Sequence, residues 1–144
     1  MILSDINLLL YAHDADSDHF EAAKSWLEET LSSSTLFLTW HVVMGFVRIV
    51  TSPRSYPNPY KPAEAMLHAK NLLDHRNSQI LHPGANHFEI FQRLVKEAKI
   101  SGPRLMDAHL AAVAIEHGVS FASNDRDFRL FDDLNLVNPL ALKK

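Results

Sequence analysis

Short apolar runs alternate with amphipathic helical segments along the chain, and this alternation constrains the fold more than any other feature. The runs are Ile2–Leu3, Thr35–Leu38, Gln79–Leu81, Val119–Ala122 and Asn135–Val137, none longer than four residues. Strands this short are stable only side by side in a sheet. Asn7–Tyr11 opens a helix after the first run. Asp18 and Glu21 read as a capping box for a second helix, whose apolar stripe is Phe20, Ala23, Leu27 and Leu31. Thr39 is placed to cap a helix running through Val50. Residues 51–62 contain four prolines and read as a loop, and Pro62 suits the first turn of a helix reaching about Arg76. Asn86 and Glu89 read as another capping box, ahead of a stripe of Phe88, Phe91, Val95 and Ala98. Leu105–His117 reads as a helix stopped by Gly118. Strands alternating with helices predict an α/β fold with a parallel sheet covered on both faces.

At 144 residues, 47% of them hydrophobic, the chain suits one domain with its own core, spanning 1–144. No apolar run approaches the ~18 residues of a membrane span, and no membrane partner is expected. The first basic residue is Lys24, so no secretory signal is expected. The chain has no cysteine, which excludes disulfides, thiolate nucleophiles and sulfur-ligated zinc and fits a reducing cytoplasm. Its four glycines are too scattered for a nucleotide-binding loop of either common type. Charge is uneven: residues 1–44 carry one basic and seven acidic side chains, residues 45–104 nine and four, and residues 105–144 four and six. An acidic metal site beside a basic surface fits this distribution better than sequence-blind duplex binding does.

Ligands of open α/β sheets sit outside the carboxyl ends of the strands. Asp5 follows the first run, and Asp125 follows the Val119–Ala122 run through Ser123 and Asn124. Either alone is equally well a turn or cap residue. Asp107 is more telling. It lies in the first turn of a helix whose next eight residues hold one polar side chain, His109. A carboxylate on so apolar a helix is costly unless paired or metal-bound, although the helix dipole alone also favours it. Three acids from separate elements make an all-oxygen site, which suits Mg²⁺ or Mn²⁺ and phosphodiester hydrolysis.

Several stretches carry a family resemblance. They are residues 3–12 (LSDINLLLYA), Asp18-His19-Phe20 through Trp26-Leu27, Phe46-Val47-Arg48 through Pro53, Asp107-Ala108-His109 through Gly118, and Ser123-Asn124-Asp125-Arg126-Asp127-Phe128. In this order the chain resembles the PIN-domain nucleases, and within them the VapC-type toxins of toxin–antitoxin pairs. The resemblance implies a three-layer α/β/α architecture with a central, mainly parallel sheet of four to five short strands. It implies a Mg²⁺-dependent endoribonuclease that acts on RNA, is held inactive by a VapB-type antitoxin and forms a homodimer. Carried over by position, Asp5 and Asp107 are the direct metal ligands, and Asp125 is the third acid. Asn7, Ser123 and Asn124 orient them. Asp127 is an auxiliary candidate, with capping of the short helix at Phe128 as its other reading.

The chain departs from the family at Gly45, where a glutamate of the acidic cluster normally stands. Glycine inside a helix costs roughly 1 kcal/mol relative to alanine, and local sequence gives it no compensating benefit. One base change converts a Glu codon to Gly, and an active toxin is selected against during expression. Gly45 therefore reads as a replacement of Glu that weakens metal binding and cleavage. The other reading is a native glycine that admits close backbone packing.

Arg54, Tyr56, Tyr60 and Lys61 are interleaved with prolines in the loop and are candidates for RNA contact through stacking and phosphate binding. Arg48 is a further RNA candidate, or else neutralises the acids. A rigid loop, or a dimer or antitoxin contact, explains the same residues. The spacings of the nine histidines do not suggest zinc, and His109 reads as a partly buried, hydrogen-bonded side chain. Two other functions compete with the nuclease. One is a PIN-like scaffold that binds RNA or protein without catalysis, which Gly45 favours. The other is a small-molecule phosphatase, which Asn7 disfavours because it stands where a second aspartate of a DxD motif belongs.

Overall fold

The computed structural model describes residues 1–141. Its elements run β1 (Ile2–Ser4), α1 (Ile6–Ala12), α2 (Phe20–Ser33), β2 (Leu36–Leu38), α3 (Trp40–Val50), α4 (Pro62–Asp74), β3 (Ser78–Ile80), α5 (His87–Ala98), α6 (Arg104–His117), β4 (Ser120–Ala122) and β5 (Leu136–Val137). A 3-10 turn, Arg126–Leu130, lies between the last two strands. The expected α/β class and five parallel strands are present. The sheet order is β3-β2-β1-β4-β5, and every neighbouring pair is parallel.

The central strands carry apolar side chains on both faces, as a doubly covered parallel sheet requires. Leu36, Phe37 and Leu38 of β2 are all buried, as are Leu3 of β1 and Phe121 of β4. Alanines at 108, 111, 112 and 114 keep α6 slim where it is fully buried. Thr39 caps α3 as expected, its Oγ1 accepting from Val42 N at 3.1 Å. Gly118 ends α6 in the left-handed region, φ 66°, where a side chain would be strained.

Two expected caps are replaced. Asp18 and Glu21 do not form a capping box: α2 begins at Phe20 behind His19, which makes no side-chain cap, and Ser17 takes the local donors instead. Asn86 likewise makes no side-chain cap for α5. The carboxylate of Glu116, at the far end of α6, accepts from Gly84 N at 2.7 Å and Asn86 N at 2.9 Å. The loop before α5 is thus satisfied from outside its own sequence.

Sheet order decides where a site can form. From β1 the chain crosses to β2 and then β3 on one side. It then returns past β1 to β4 and continues to β5 on the other side. β1 and β4 are adjacent strands whose onward connections diverge, which opens a crevice at their carboxyl ends. Helix α6 feeds the start of β4, so its first turn lies at that same edge of the sheet. Among the described residues, no helix is long and apolar enough to cross a membrane.

Candidate active site

Asp5 stands where β1 gives way to α1. Its backbone N–H donates to Ala122 O of β4 at 2.9 Å, which locks the two strand ends together. Its Oδ1 caps α1 by accepting from Ile6 N at 2.7 Å, and its Oδ2 accepts from Ser123 Oγ at 2.6 Å. Ser123, itself buried, accepts in turn from Asp125 N at 3.0 Å and from Asn7 Nδ2 at 3.4 Å. One hydroxyl therefore uses its single donor and both acceptors to hold three of the predicted site residues.

Burial raises the Asp5 carboxyl above the usual aspartate range, against the Ser123 and Ile6 hydrogen bonds that lower it. Asp125 raises it further and His41 lowers it. Asp107, in the first turn of α6, is pushed up to about 6. Burial is the largest cause, followed by the negative charges of Asp125, Asp5 and Asp127, with Arg104 opposing them. The three acids, separated widely in the chain, thus sit close enough to repel one another. Asp125 also caps the 3-10 turn through Oδ1, which accepts from Asp127 N at 2.9 Å.

The surrounding candidates divide. Asn7 reaches the cluster, and its buried Oδ1 has no hydrogen-bond partner among the described residues. Asn124 turns away, its Oδ1 accepting from Asn138 Nδ2 at 3.0 Å. Asp127 is not the side-chain cap of the 3-10 turn, because Asp125 has that place. Its carboxylate pairs with Arg104 at 3.3 Å, with both groups about half exposed.

Gly45 lies buried within α3. A Cβ at this position would stand 2.6 Å from Ile6 Cδ1 and 3.4 Å from Ile6 Cγ1. The glycine therefore has a local benefit that the sequence concealed: it lets Ile6, between Asp5 and Asn7, pack directly on α3. The obstacle to a larger residue is the end of a flexible side chain, not backbone.

A hard dication fits this site in donor chemistry: all-oxygen donors, mutually repelling carboxylates and an unpartnered amide oxygen. The fit is incomplete in number, since among the described residues no three His, Asp or Glu side chains close around a single point.

In the proline-rich loop, the Tyr60 hydroxyl donates to His13 O at 2.6 Å, and its ring stacks on His68 with centroids 5.0 Å apart. Tyr56 packs against the core, while Arg54 and Lys61 are exposed. Under the loop is a cavity of about 60 Å³, lined by Leu10, His13, Asp14, Val50, Tyr56, Asn58 and Tyr60, with none of the clustered carboxylates. Arg48 is exposed in the last turn of α3, and the charges acting on Asp5 and Asp107 do not include it.

Sequence spacing concealed a row of imidazoles beside the acids. His41 of α3 lies close enough to Asp5 to favour its ionised form. His41 and His109 meet edge to face with centroids 6.0 Å apart, and His109 and His87 do so at 4.8 Å. His87 Nε2 and His109 Nδ1 share a hydrogen bond of 2.9 Å. Burial lowers the pKa of His109, and His87 and His41 lower it further. These residues come from three helices, so no local pattern announces them.

Comparison with known proteins places this geometry in context. The chain is 34% identical over 141 residues to Ribonuclease VapC33 of Mycobacterium tuberculosis, covering 97% of this chain and 99% of that protein. It is 31% identical over 143 residues to Ribonuclease VapC37 of the same organism, covering 99% of both. Among solved structures it superposes on VapBC2 from Rickettsia felis bound to a promoter DNA fragment, with a TM-score of 0.72, 20% identity and coverage of 96% and 98%. The FitAB complex with DNA gives a TM-score of 0.74 at 19% identity, covering 100% and 99%. The PIN domain family model matches residues 2–134, nearly the whole chain, and the chain belongs to the PIN-domain family.

Proposed function

We propose that this protein is a VapC-type endoribonuclease toxin, hydrolysing RNA phosphodiester bonds with a divalent cation held by Asp5, Asp107 and Asp125. The observation that carries the reading is the meeting of Asp5, Ser123 and Asp125 at the crevice between β1 and β4, with Asp107 facing them from α6. Near-full-length similarity to several VapC ribonucleases supports the same activity. Bound Mg²⁺ or Mn²⁺ would offset the repulsion between these carboxylates and a phosphate and would lower the pKa of an attacking water. The chain's own residues do the positioning. Ser123 fixes Asp5 and the start of the Asp125 turn, and Arg104 holds Asp127. Asn7 offers its free Oδ1 toward the same cluster. A VapB-type antitoxin is the proposed partner, because structural neighbours include VapBC and FitAB complexes. A homodimer acting in the cytoplasm as a single-domain toxin completes the proposal.

Gly45 leaves this cluster one carboxylate short of the family pattern, so cleavage is weak. A binding module that has lost catalysis is the second reading, and Gly45 is the observation that favours it. Purified chain is tested on structured RNA across a Mg²⁺ and Mn²⁺ titration, with and without Gly45→Glu. The nuclease reading expects slow, metal-dependent cleavage that Gly45→Glu accelerates and Asp5→Asn abolishes. RNA binding without cleavage, unchanged by Gly45→Glu, overturns it in favour of the module.

A further inference from the structure

We propose that the hollow between the 3-10 turn and the end of β5 is a subsite for a backbone phosphate of single-stranded RNA, gripped by Arg126 and Arg129 beside the carboxylate cluster. The inference deepens the nuclease reading and rests on it for the identity of the ligand. The hollow has a volume of about 110 Å³. One water needs only ~10–15 Å³ of such space, so a phosphoryl group is admitted. Its walls are Asn124, Arg126, Arg129, Leu136 and Asn138, and it shares Ser123 and Asp125 with the carboxylate cluster. A strand lying across the crevice therefore meets the acids and this hollow together.

The turn itself sorts its side chains. In a 3-10 helix residues i and i+3 eclipse, so Arg126–Leu130 with Phe131 presents three rows. Phe128 and Phe131 are buried in the core. Asp127, in the second row, pairs with Arg104 of α6 at 3.3 Å. Arg126 and Arg129 make the third row, both exposed and both on the wall of the hollow. Among the described residues neither forms an ion pair, whereas Arg93 and Arg104 each have an acid partner. The other polar groups are also set for an anion. Asn124 Oδ1 accepts from Asn138 Nδ2 at 3.0 Å, and Asn138 Oδ1 accepts from Leu140 N at 3.0 Å. Both amide oxygens are engaged, and N–H donors remain. Asp125 is the acid on the wall, and its Oδ1 already accepts from Asp127 N. Two guanidinium groups against one carboxylate leave the hollow positive, and a guanidinium fork matches phosphate oxygens two at a time. The subsite also gives Asn124 a role, since its amide leaves the acids for Asn138.

The test measures binding of a fluorescent single-stranded RNA octamer to the full-length chain in EDTA, so that no strand is cut. Mn²⁺-dependent cleavage is followed separately. Arg126→Ala and Arg129→Ala should each weaken binding roughly 5–10-fold and lower the slope of log affinity against log salt by ~0.7. Octamers with one uncharged methylphosphonate at successive linkages locate the contact. The wild-type chain should lose affinity at one linkage, and the double arginine variant should be indifferent to that change. Side-chain amide resonances of Asn124 and Asn138 in the wild-type chain should shift on adding RNA while those of Asn71 and Asn77 stay put, a readout independent of any variant's folding. Unchanged affinity and salt slope in the double variant, with cleavage intact, would overturn the subsite and leave the nuclease reading standing. Binding that needs both arginines without cleavage under any cation supports the subsite and removes the nuclease. An oligoglutamate of equal charge that displaces the RNA at equal concentration would overturn the subsite in favour of an acidic protein segment.

Discussion

Ser123 Oγ donates to Asp5 Oδ2 at 2.6 Å, joining residues 118 positions apart, and this bond holds the ends of β1 and β4 in one polar cluster. Asp5 is only 8% exposed, so the hydroxyl is what makes its buried charge tolerable. Hydrogen bonds to charged groups contribute about 1.5–3 kcal/mol. Ser123→Ala should therefore lower stability by about 2 kcal/mol at neutral pH and raise the Asp5 pKa further. Urea unfolding and carboxyl-carbon NMR titration read the two effects. A variant as stable as wild type would mean that water replaces the hydroxyl.

Asp107 gives the cation-free protein a pH dependence with a definite sign. Its carboxyl, ordinarily near 3.8, titrates at about 6 in the folded chain. The folded state therefore binds the proton more tightly than the unfolded state does. The associated stability is fully present below about pH 3.8 and is lost as pH rises to about 6. Because the group is only partly buried, solvent screening holds the effect to about 1 kcal/mol. Melting temperatures of wild type and Asp107→Asn between pH 4 and 7 should diverge with rising pH, the asparagine variant becoming the more stable, and stay parallel above pH 7. Added Mg²⁺ should narrow the gap, since cation binding requires the ionised carboxylate. Parallel curves throughout would show that Asp107 is free of its neighbours.

Gly45→Glu couples packing to charge. The new Cβ meets Ile6 Cδ1 at 2.6 Å, so Ile6 must rotate away, and forced repacking of a core position costs about 1–3 kcal/mol. Loss of a mid-helix glycine returns less than about 1 kcal/mol. The variant should thus be less stable than the present chain without divalent cation and should regain stability as Mg²⁺ or Mn²⁺ is added. Ile6→Val in the same background should relieve part of the cost. Thermal unfolding with and without Mg²⁺ measures both, and a cation-independent loss would separate Gly45 from the acidic cluster.

Much of this was legible from the chain itself. Short apolar runs fixed the strands to within a residue or two, because a parallel strand buried on both faces leaves little choice of side chain. Asp5 and Asp125 could be placed because strand ends and turn residues are local signals. What stayed hidden is long-range. Ile6 filling the space over Gly45 depends on the approach of α1 to α3, and the histidine row depends on three helices meeting. The capping boxes misled for a related reason: Glu116, thirty residues beyond Asn86, supplies the acceptor for the Asn86 N–H that a local reading assigns to Glu89.

Tyr60→Phe separates a structural role for the proline-rich loop from an RNA-contacting one. The hydroxyl holds the loop to His13 O at 2.6 Å, and the ring stacks on His68. Removing the oxygen should cost about 1 kcal/mol of stability and leave RNA affinity within twofold, since the aromatic face is unchanged. Arg54→Ala and Lys61→Ala, both exposed, should do the reverse, weakening RNA binding and flattening its salt dependence while unfolding stays as in wild type. Filter binding at two salt concentrations, paired with urea melts, distinguishes the outcomes. Equal RNA affinity in all three variants would remove the loop from the binding surface.

Glu116 anchors the loop that leads into α5, and its titration runs opposite to that of Asp107. Its carboxylate accepts from Gly84 N and Asn86 N, and the first of these bonds is the main cause holding its pKa below the usual 4.5, with His87 and His117 adding to the effect. The anchoring is therefore complete above about pH 4.5 and released as pH falls through the depressed value. Amide exchange at Gly84 and Asn86 reports this directly, because both N–H groups lose their acceptor when Glu116 is protonated or replaced. Glu116→Ala should raise the exchange of these two amides at neutral pH by at least ~10-fold, leave the strand amides of β1 and β4 unchanged, and loosen the geometry at His87. Glu116→Asp, one methylene shorter, should retain at most one of the two bonds and protect the amides unequally. Unaltered exchange in the alanine variant would mean that the loop is held by its backbone alone, and His87 would then owe its position to His109.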